Sequence, residues 1–216
     1  MVFFIEGNIG SGKSTLTGLL KKYLNIDGLQ IEYEPVQEWK ETVDSNKISI
    51  LSHFYSDINK YSFVFQMNSF ISRCNKIEDS NMNNLLIERS IYSDYYCFAK
   101  TCFENNTMTE IEFIVYKKCF KWLTGIIDIK TNGFIYLRTD PEKCLNRIKI
   151  RSRDEESNIL LSYLETLHKK HDEWLLTQDN ILILDGNVNF IENKEILTNY
   201  IQQIRDFIEK NKNCKI

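Results

Sequence analysis

Val2-Phe3-Phe4-Ile5-Glu6-Gly7-Asn8-Ile9-Gly10-Ser11-Gly12-Lys13-Ser14-Thr15 is an apolar run that breaks into a glycine-rich turn and then takes up a helical pattern. Residues 7–14 match GxxxxGK[ST] between a strand and a helix, the context in which this spacing has a mechanism. Glycines let successive backbone N–H groups turn inward around phosphate oxygens, and the first turn of the following helix adds its positive end. Gly7, Asn8, Ile9, Gly10, Ser11, Gly12, Lys13, Ser14 and Thr15 are therefore read as a nucleoside-triphosphate cradle. In it, Lys13 bridges the outer phosphates and Ser14 holds Mg²⁺. The loop alone does not separate an ATPase, a GTPase and a small-molecule kinase.

The same strand-then-helix alternation continues outward. Short apolar runs at 2–5, 30–33, 84–87, 133–137 and 180–184 end in turn or polar residues and read as strands. Helical spacing covers 14–24, 61–77, 93–103, 109–127, 141–150, 159–176 and a closing 191–211. Asp140-Pro141 marks a helix start, with aspartate as cap and proline in the first turn. The expectation is an α/β fold: a five-stranded parallel sheet flanked by helices, in one domain over residues 1–216.

Composition narrows the chemistry. With 27 basic and 30 acidic residues the net charge is −3, a balance that suits small-molecule substrates better than nucleic acid. No apolar stretch reaches the roughly 18–20 residues that span a bilayer. Cysteines at 74, 97, 102, 119, 144 and 214 form no CxxC pair, which argues against a structural zinc site and for free thiols in a reducing compartment. No n-region or cleavage site precedes the phosphate loop, and a cytoplasmic address is expected.

Three strands end in polar residues, at Glu6-Gly7, Glu34-Pro35 and Glu88-Arg89, the edge of a parallel sheet where ligands bind. Pro35 favours an extended Glu34 aimed off the rim, where a carboxylate can take the proton of an attacking hydroxyl; an exposed loop glutamate is the bland alternative. Arg89 can hold the hydroxyl, the phosphoryl group or both, and Glu88 can reach the Mg²⁺ shell; a strand-capping ion pair is the other reading. Arg147, Lys149, Arg151 and Arg153 make a charge run that in most proteins is a solvated face. Beside a phosphate loop it reads as an arginine-rich lid at about 147–157.

Taken together, GNIGSGKST, EPVQEW, FQMNSFISR, ERSIYSDYYCFAK, YLRTDPEKCLNRIKIRSRDEE and YLETLHKKHDEWLL resemble the deoxynucleoside kinase family in order and interval, from residue 2 to about 190. The resemblance implies a phosphate-loop kinase fold, ATP or another nucleoside triphosphate as donor with Mg²⁺, a deoxyribonucleoside acceptor and a homodimer built from helices. Glu34 would be the general base, assisted by Arg89 and Lys13. Tyr55 and Glu156 would bind the sugar 3′-hydroxyl, and Arg147, Arg151 and Arg153 would close over the phosphates. Gln66 would read the base edge, Phe65 and Phe98 would sandwich the ring, and Trp39 would form a wall. Arg73 with Asp94 marks the deoxycytidine and deoxyguanosine kinase branch, and Ser69 is most like deoxyguanosine kinase, which inclines the expectation towards a purine with deoxycytidine next. Tyr61 departs from the family's usual tryptophan. A nucleoside monophosphate kinase of thymidylate type is the rival within the fold; Glu34 argues against it, since a hydroxyl needs a base more than a phosphate does. A non-catalytic nucleotide sensor has no use for both Glu34 and Arg89.

Overall fold

Five residues of alternating contact, Val2–Glu6, form the central strand β1, every one of them buried. The computed structural model describes residues 1–79, 84–127, 131–156 and 159–213. In chain order the elements are β1, α1 (Lys13–Tyr23), β2 (Gln30–Glu32), α2 (Val36–Glu41), α3 (Ile50–Ser56), α4 (Ile58–Asp79), β3 (Leu85–Glu88), α5 (Ile91–Ser93), a π-helical stretch at Asp94–Ala99, α6 (Lys100–Glu104), α7 (Glu110–Ile127), β4 (Gly133–Arg138), α8 (Pro141–Arg151), a 3₁₀ turn at Asp154–Glu156, α9 (Leu161–Leu175), β5 (Ile181–Asp185) and α10 (Lys194–Asn211). The strands lie in the order β2-β3-β1-β4-β5, and all pairs are parallel.

The period-2 alternation of β1 explains why helices cover both faces. Val2 and Phe4 join Leu85, Ile87, Phe134 and Trp174 in one apolar layer, and Phe3 and Ile5 join Leu16, Leu86, Leu137 and Ile204 in the other. The chain leaves β1 in one direction across the sheet and leaves β3 in the other. The carboxyl ends of these two neighbours are thus a switch point, where a crevice opens.

The five expected strands are present with ends shifted by a residue or so, and the expected helices at 14–24, 61–77, 109–127, 141–150, 159–176 and 191–211 correspond to α1, α4, α7, α8, α9 and α10. The single helix expected at 93–103 is instead α5, the π-helical turn and α6. Asp140 occupies the N-cap position before Pro141, yet its side chain makes no capping hydrogen bond. Helices α2 and α3 are additions, each too short to show a helical period. Cys214 and residue 157 of the lid lie outside the described residues; Cys74, Cys97, Cys102, Cys119 and Cys144 are free thiols. No helix among the described residues is long and apolar enough to cross a membrane.

Candidate active site

The turn after β1 packs so closely that glycine is required at its bend. Gly10 has φ +75°, and a Cβ there would sit 2.5 Å from the Cys144 carbonyl oxygen and 2.8 Å from Ile148. The phosphate loop is thereby pressed against α8, the lid helix. Asn8 Nδ2 donates to the Leu164 carbonyl of α9 at 2.8 Å and anchors the other side. Gly12, at φ +101°, is the N-cap of α1. Lys13 folds back over the loop and donates from Nζ to the carbonyls of Gly7 (2.9 Å) and Asn8 (2.7 Å). Burial, with the like charge of Arg89 adding to it, brings the Lys13 ammonium down to about 8. Ser14 Oγ donates to Glu88 Oε1 at 2.6 Å, so the hydroxyl that opens α1 and the carboxylate that ends β3 meet at one point of the crevice.

Beside the loop lies a chain of buried ion pairs. Arg73 Nε donates to Asp94 Oδ2 at 2.8 Å and its Nη2 to Glu34 Oε1 at 2.6 Å, while Arg89 Nε reaches the same Glu34 oxygen at 3.1 Å. Ser69 Oγ donates to Asp94 Oδ1 at 3.3 Å. Burial works against ionisation of Glu34, but Arg73, Arg89 and Lys13 together hold its carboxyl well below the usual carboxylate range. At neutral pH Glu34 is charged and has acceptor capacity left for a hydroxyl. The guanidinium of Arg89 stacks over Phe98 at 4.6 Å, and that of Arg73 over Trp39 at 5.1 Å.

One helix face and one irregular helix supply most of this. Phe65, Gln66, Ser69 and Arg73 recur on α4 at near-helical spacing, and all are buried. Such a run of inward polar residues is costly for a core helix and ordinary for a site wall. Across the cleft, the π-helical turn spreads Asp94 and Phe98 over one widened turn; insertions of this kind cluster at functional sites. Arg89 adopts a left-handed backbone, φ +66°, a second mark of a constrained site.

A cleft of about 740 Å³ joins these parts. Glu34, Trp39, Tyr55, Phe65, Gln66, Ser69, Arg73, Arg89, Asp94 and Phe98 line it together with Lys13 and Ser14, as do Glu88, Arg147, Arg151, Arg153 and Glu156. Gly7, Asn8 and Ser11 lie behind the lining as loop backbone. Arg151 hydrogen-bonds Glu156, and Arg153 Nη1 donates to Glu156 Oε1 at 3.2 Å, so both arginines share one acid at the cleft. Arg147 lines the same cleft and reaches the phosphate loop. Its Nη1 donates to the Ser11 carbonyl at 2.7 Å and its Nη2 to the Gly186 carbonyl at 2.8 Å, so the side chain braces the loop instead of standing free. Burial, then Glu156 and Glu34, pushes the Tyr55 hydroxyl well above its usual range, so it stays a neutral donor.

Sequence reading missed two parts of this wall. Phe54 of α3 stacks on Phe65 with centroids 4.5 Å apart and occupies the back of the Trp39 cluster. Residues 187–192, after β5, also line the cleft, next to α8, with Lys143 Nζ donating to the Asn187 carbonyl at 2.7 Å and Phe190 close over Gly12. Neither belongs to a spacing motif; the Asn-Val-Asn-Phe turn after an apolar strand was the available signal.

A phosphate loop, a hydroxyl–carboxylate pair and a charged carboxylate beside a run of arginines, gathered at the switch point of a parallel sheet, fit the class of phosphate-loop phosphotransferases. The family model described as Deoxynucleoside kinase matches residues 3–209. Deoxycytidine kinase of Rattus norvegicus is 35% identical over 237 residues, covering 94% of this chain and 89% of the rat protein. A probable deoxycytidine kinase of fowlpox virus is 32% identical over 215 residues, 95% of this chain and 87% of the viral one. Human mitochondrial thymidine kinase 2 is 30% identical over 220 residues, 99% of this chain and 80% of its own. The chain belongs to the deoxynucleoside kinase family: it is a nucleoside kinase that uses ATP as phosphate donor.

Proposed function

We propose that this chain is a single deoxynucleoside kinase domain that moves the γ-phosphate of ATP to the 5′-hydroxyl of a deoxyribonucleoside in nucleotide salvage. The observation that carries the reading is Glu34: an ionised carboxylate just past the end of β2, held by Arg73 and Arg89, on the same cleft as Lys13. Glu34 takes the proton of the 5′-hydroxyl, and Arg89 holds the entering oxygen and the phosphoryl group. Lys13 leaves the Gly7 and Asn8 carbonyls for the outer phosphates, and Arg151 and Arg153 close over them. Tyr55 and Glu156 bind the 3′-hydroxyl. The Ser14 hydroxyl and the Glu88 carboxylate are hard oxygen donors already in contact, and they fit Mg²⁺, which would neutralise phosphate charge.

For the base, Gln66 presents its amide edge between Phe65 and Phe98, beside Trp39. Arg73 and Asp94 complete a fixed donor–acceptor pattern that thymine leaves unsatisfied. Ser69, within 3.3 Å of Asp94, supports a purine acceptor, deoxyguanosine or deoxyadenosine. Deoxycytidine is the second reading, favoured by the names of the relatives at 32–35% identity. Comparing kcat/KM for the four deoxynucleosides decides: a purine in first place supports the Ser69 reading, and deoxycytidine in first place overturns it.

The working unit we propose is a homodimer through α7. Ile111, Val115, Trp122 and Ile126 form an exposed apolar stripe on that helix, and Val64 and Ile71 of neighbouring α4 are also about half exposed. Free thiols suit work in a reducing, cytoplasmic setting.

A further inference from the structure

Glu6 ends β1 one residue before the phosphate loop, and it is fully buried. A buried carboxyl is costly unless its partners justify it. Burial raises the Glu6 pKa, against the opposing pull of Arg89 and Lys13. Its Oε1 accepts the backbone N–H of Ser90 at 2.9 Å, and its Oε2 has no partner. None of the proposed chemistry uses it. What it touches is Ser90, the residue directly after Arg89, through the backbone N–H and beside the Ser90 hydroxyl.

The peptide unit that joins Arg89 to Ser90 is special. Arg89 has φ +66°, a conformation that a side chain with a Cβ resists. The Arg89 N–H donates to the Ile5 carbonyl at 2.9 Å, and the next N–H, that of Ser90, goes to Glu6. Two consecutive residues of β1 thus hold two consecutive amides across the end of β3. On the far side, Ser90 Oγ accepts the N–H groups of Tyr92 and Ser93, each at 3.2 Å, so the chain beyond the bend is fixed as well. The direction of the Arg89 side chain towards Glu34 depends on this bend staying left-handed.

We infer that Glu6 is the positioning residue for Arg89: its side chain pins the Ser90 amide and so holds the strained backbone that aims the guanidinium at Glu34. Without it, the Ser90 N–H is buried unsatisfied and the Arg89 backbone is free to relax into an ordinary conformation. The inference rests on the proposed role of Arg89, and the test separates the two.

Glu6→Ala, Glu6→Gln, Glu6→Asp, Arg89→Ala and Glu6→Ala/Arg89→Ala are made in the full chain. Each is assayed for kcat and for KM of ATP, with deoxyguanosine and deoxycytidine as acceptors. Displacement of a positioned group by about 1 Å costs on the order of 100-fold. Glu6→Ala should therefore lower kcat by about 10- to 100-fold, with KM for ATP little changed. Glu6→Gln keeps the reach and the acceptor oxygen and should restore kcat to within about threefold, whereas Glu6→Asp, a methylene short, should stay impaired. On the Arg89→Ala background, Glu6→Ala should add less than about twofold, because the two act as one unit. Full multiplication of the two single losses overturns the inference, as does an active Glu6→Asp beside an impaired Glu6→Gln, which would make charge the requirement. Where Glu6→Ala does not fold, the Gln and Asp variants decide. If Arg89→Ala alone keeps full kcat, it is the reading of Arg89 that has failed, and the role of Glu6 falls with it.

Discussion

Replacing Glu34 by Gln removes one charge and leaves the shape nearly intact. In the native site its Oε1 accepts Arg73 at 2.6 Å and Arg89 at 3.1 Å, and its side chain is only 18% exposed. Breaking a buried pair from one side costs about 3–5 kcal/mol. Arg73 keeps Asp94 in the variant and Gln keeps a carbonyl oxygen, so the lower figure, about 3 kcal/mol, applies. For a chain of this size each kcal/mol moves Tm by roughly 2–4 °C, which gives a loss of roughly 6–12 °C at neutral pH. Because the folded-state pKa of Glu34 is depressed, its contribution is complete above the usual carboxylate range and is lost as the pH falls through and below it. The gap between wild type and Glu34→Gln should therefore narrow in acid. Catalysis separates the role as base from the role as ion-pair partner. Without the base, kcat should fall at least ~100-fold, while ATP affinity holds or rises, since the cleft gains net positive charge. Steady-state kinetics, ATP titration and thermal melts at several pH values read all three. An unchanged kcat in a folded Glu34→Gln would remove Glu34 from the mechanism, whatever the melts show.

Further consequences follow from other parts of the site. Arg73→Met with Asp94→Ala should relax base choice towards thymidine, raising its kcat/KM relative to deoxyguanosine and deoxycytidine; an unchanged ranking would make the pair structural. In the free enzyme burial brings the Lys13 ammonium down to about 8, where half of it has lost its proton, and phosphate favours the charged form. ATP binding should accordingly take up a proton above that pH and weaken by up to about tenfold per unit, as calorimetry in buffers of different ionisation enthalpy would detect. A Kd flat from pH 8 to 9.5 would contradict it. Trp122→Glu places a charge in the exposed α7 stripe and should shift the sedimenting species from dimer to monomer without altering the fold; a wild type that is already monomeric defeats the dimer proposal.

Legibility in the sequence tracked how local each cause is. The recurring short apolar runs, each followed by a helical stretch, and the glycine spacing of 7–14 are local, and from them the parallel sheet and the phosphate loop were readable. Glu34 and Arg89 were readable because each follows closely on the end of a strand, β2 ending at Glu32 and β3 at Glu88. Phe54 was not: α3 is one of two short helices with no period to detect, and its stack on Phe65 is a tertiary contact. The π-helical turn carrying Asp94 and Phe98 was hidden for a related reason, since a shift of hydrogen-bond register leaves the apolar pattern of 93–103 looking like one helix. Arg147 had the right neighbours, and only the fold shows its guanidinium bracing the Ser11 and Gly186 carbonyls. Glu6 looked like the end of a strand until Ser90, 84 positions away, came within hydrogen-bond distance.

The most direct test of the account is to offer the enzyme ATP, Mg²⁺ and, in separate reactions, each of the four deoxynucleosides and the corresponding 5′-monophosphates, following ADP release and identifying the product by phosphorus NMR. A kinase with Glu34 as base gives stoichiometric formation of a 5′-monophosphate from at least one deoxynucleoside, at a kcat/KM well above that of any monophosphate. Faster turnover of a monophosphate than of every deoxynucleoside would contradict this, because Glu34 would then be facing a phosphate in place of a 5′-hydroxyl.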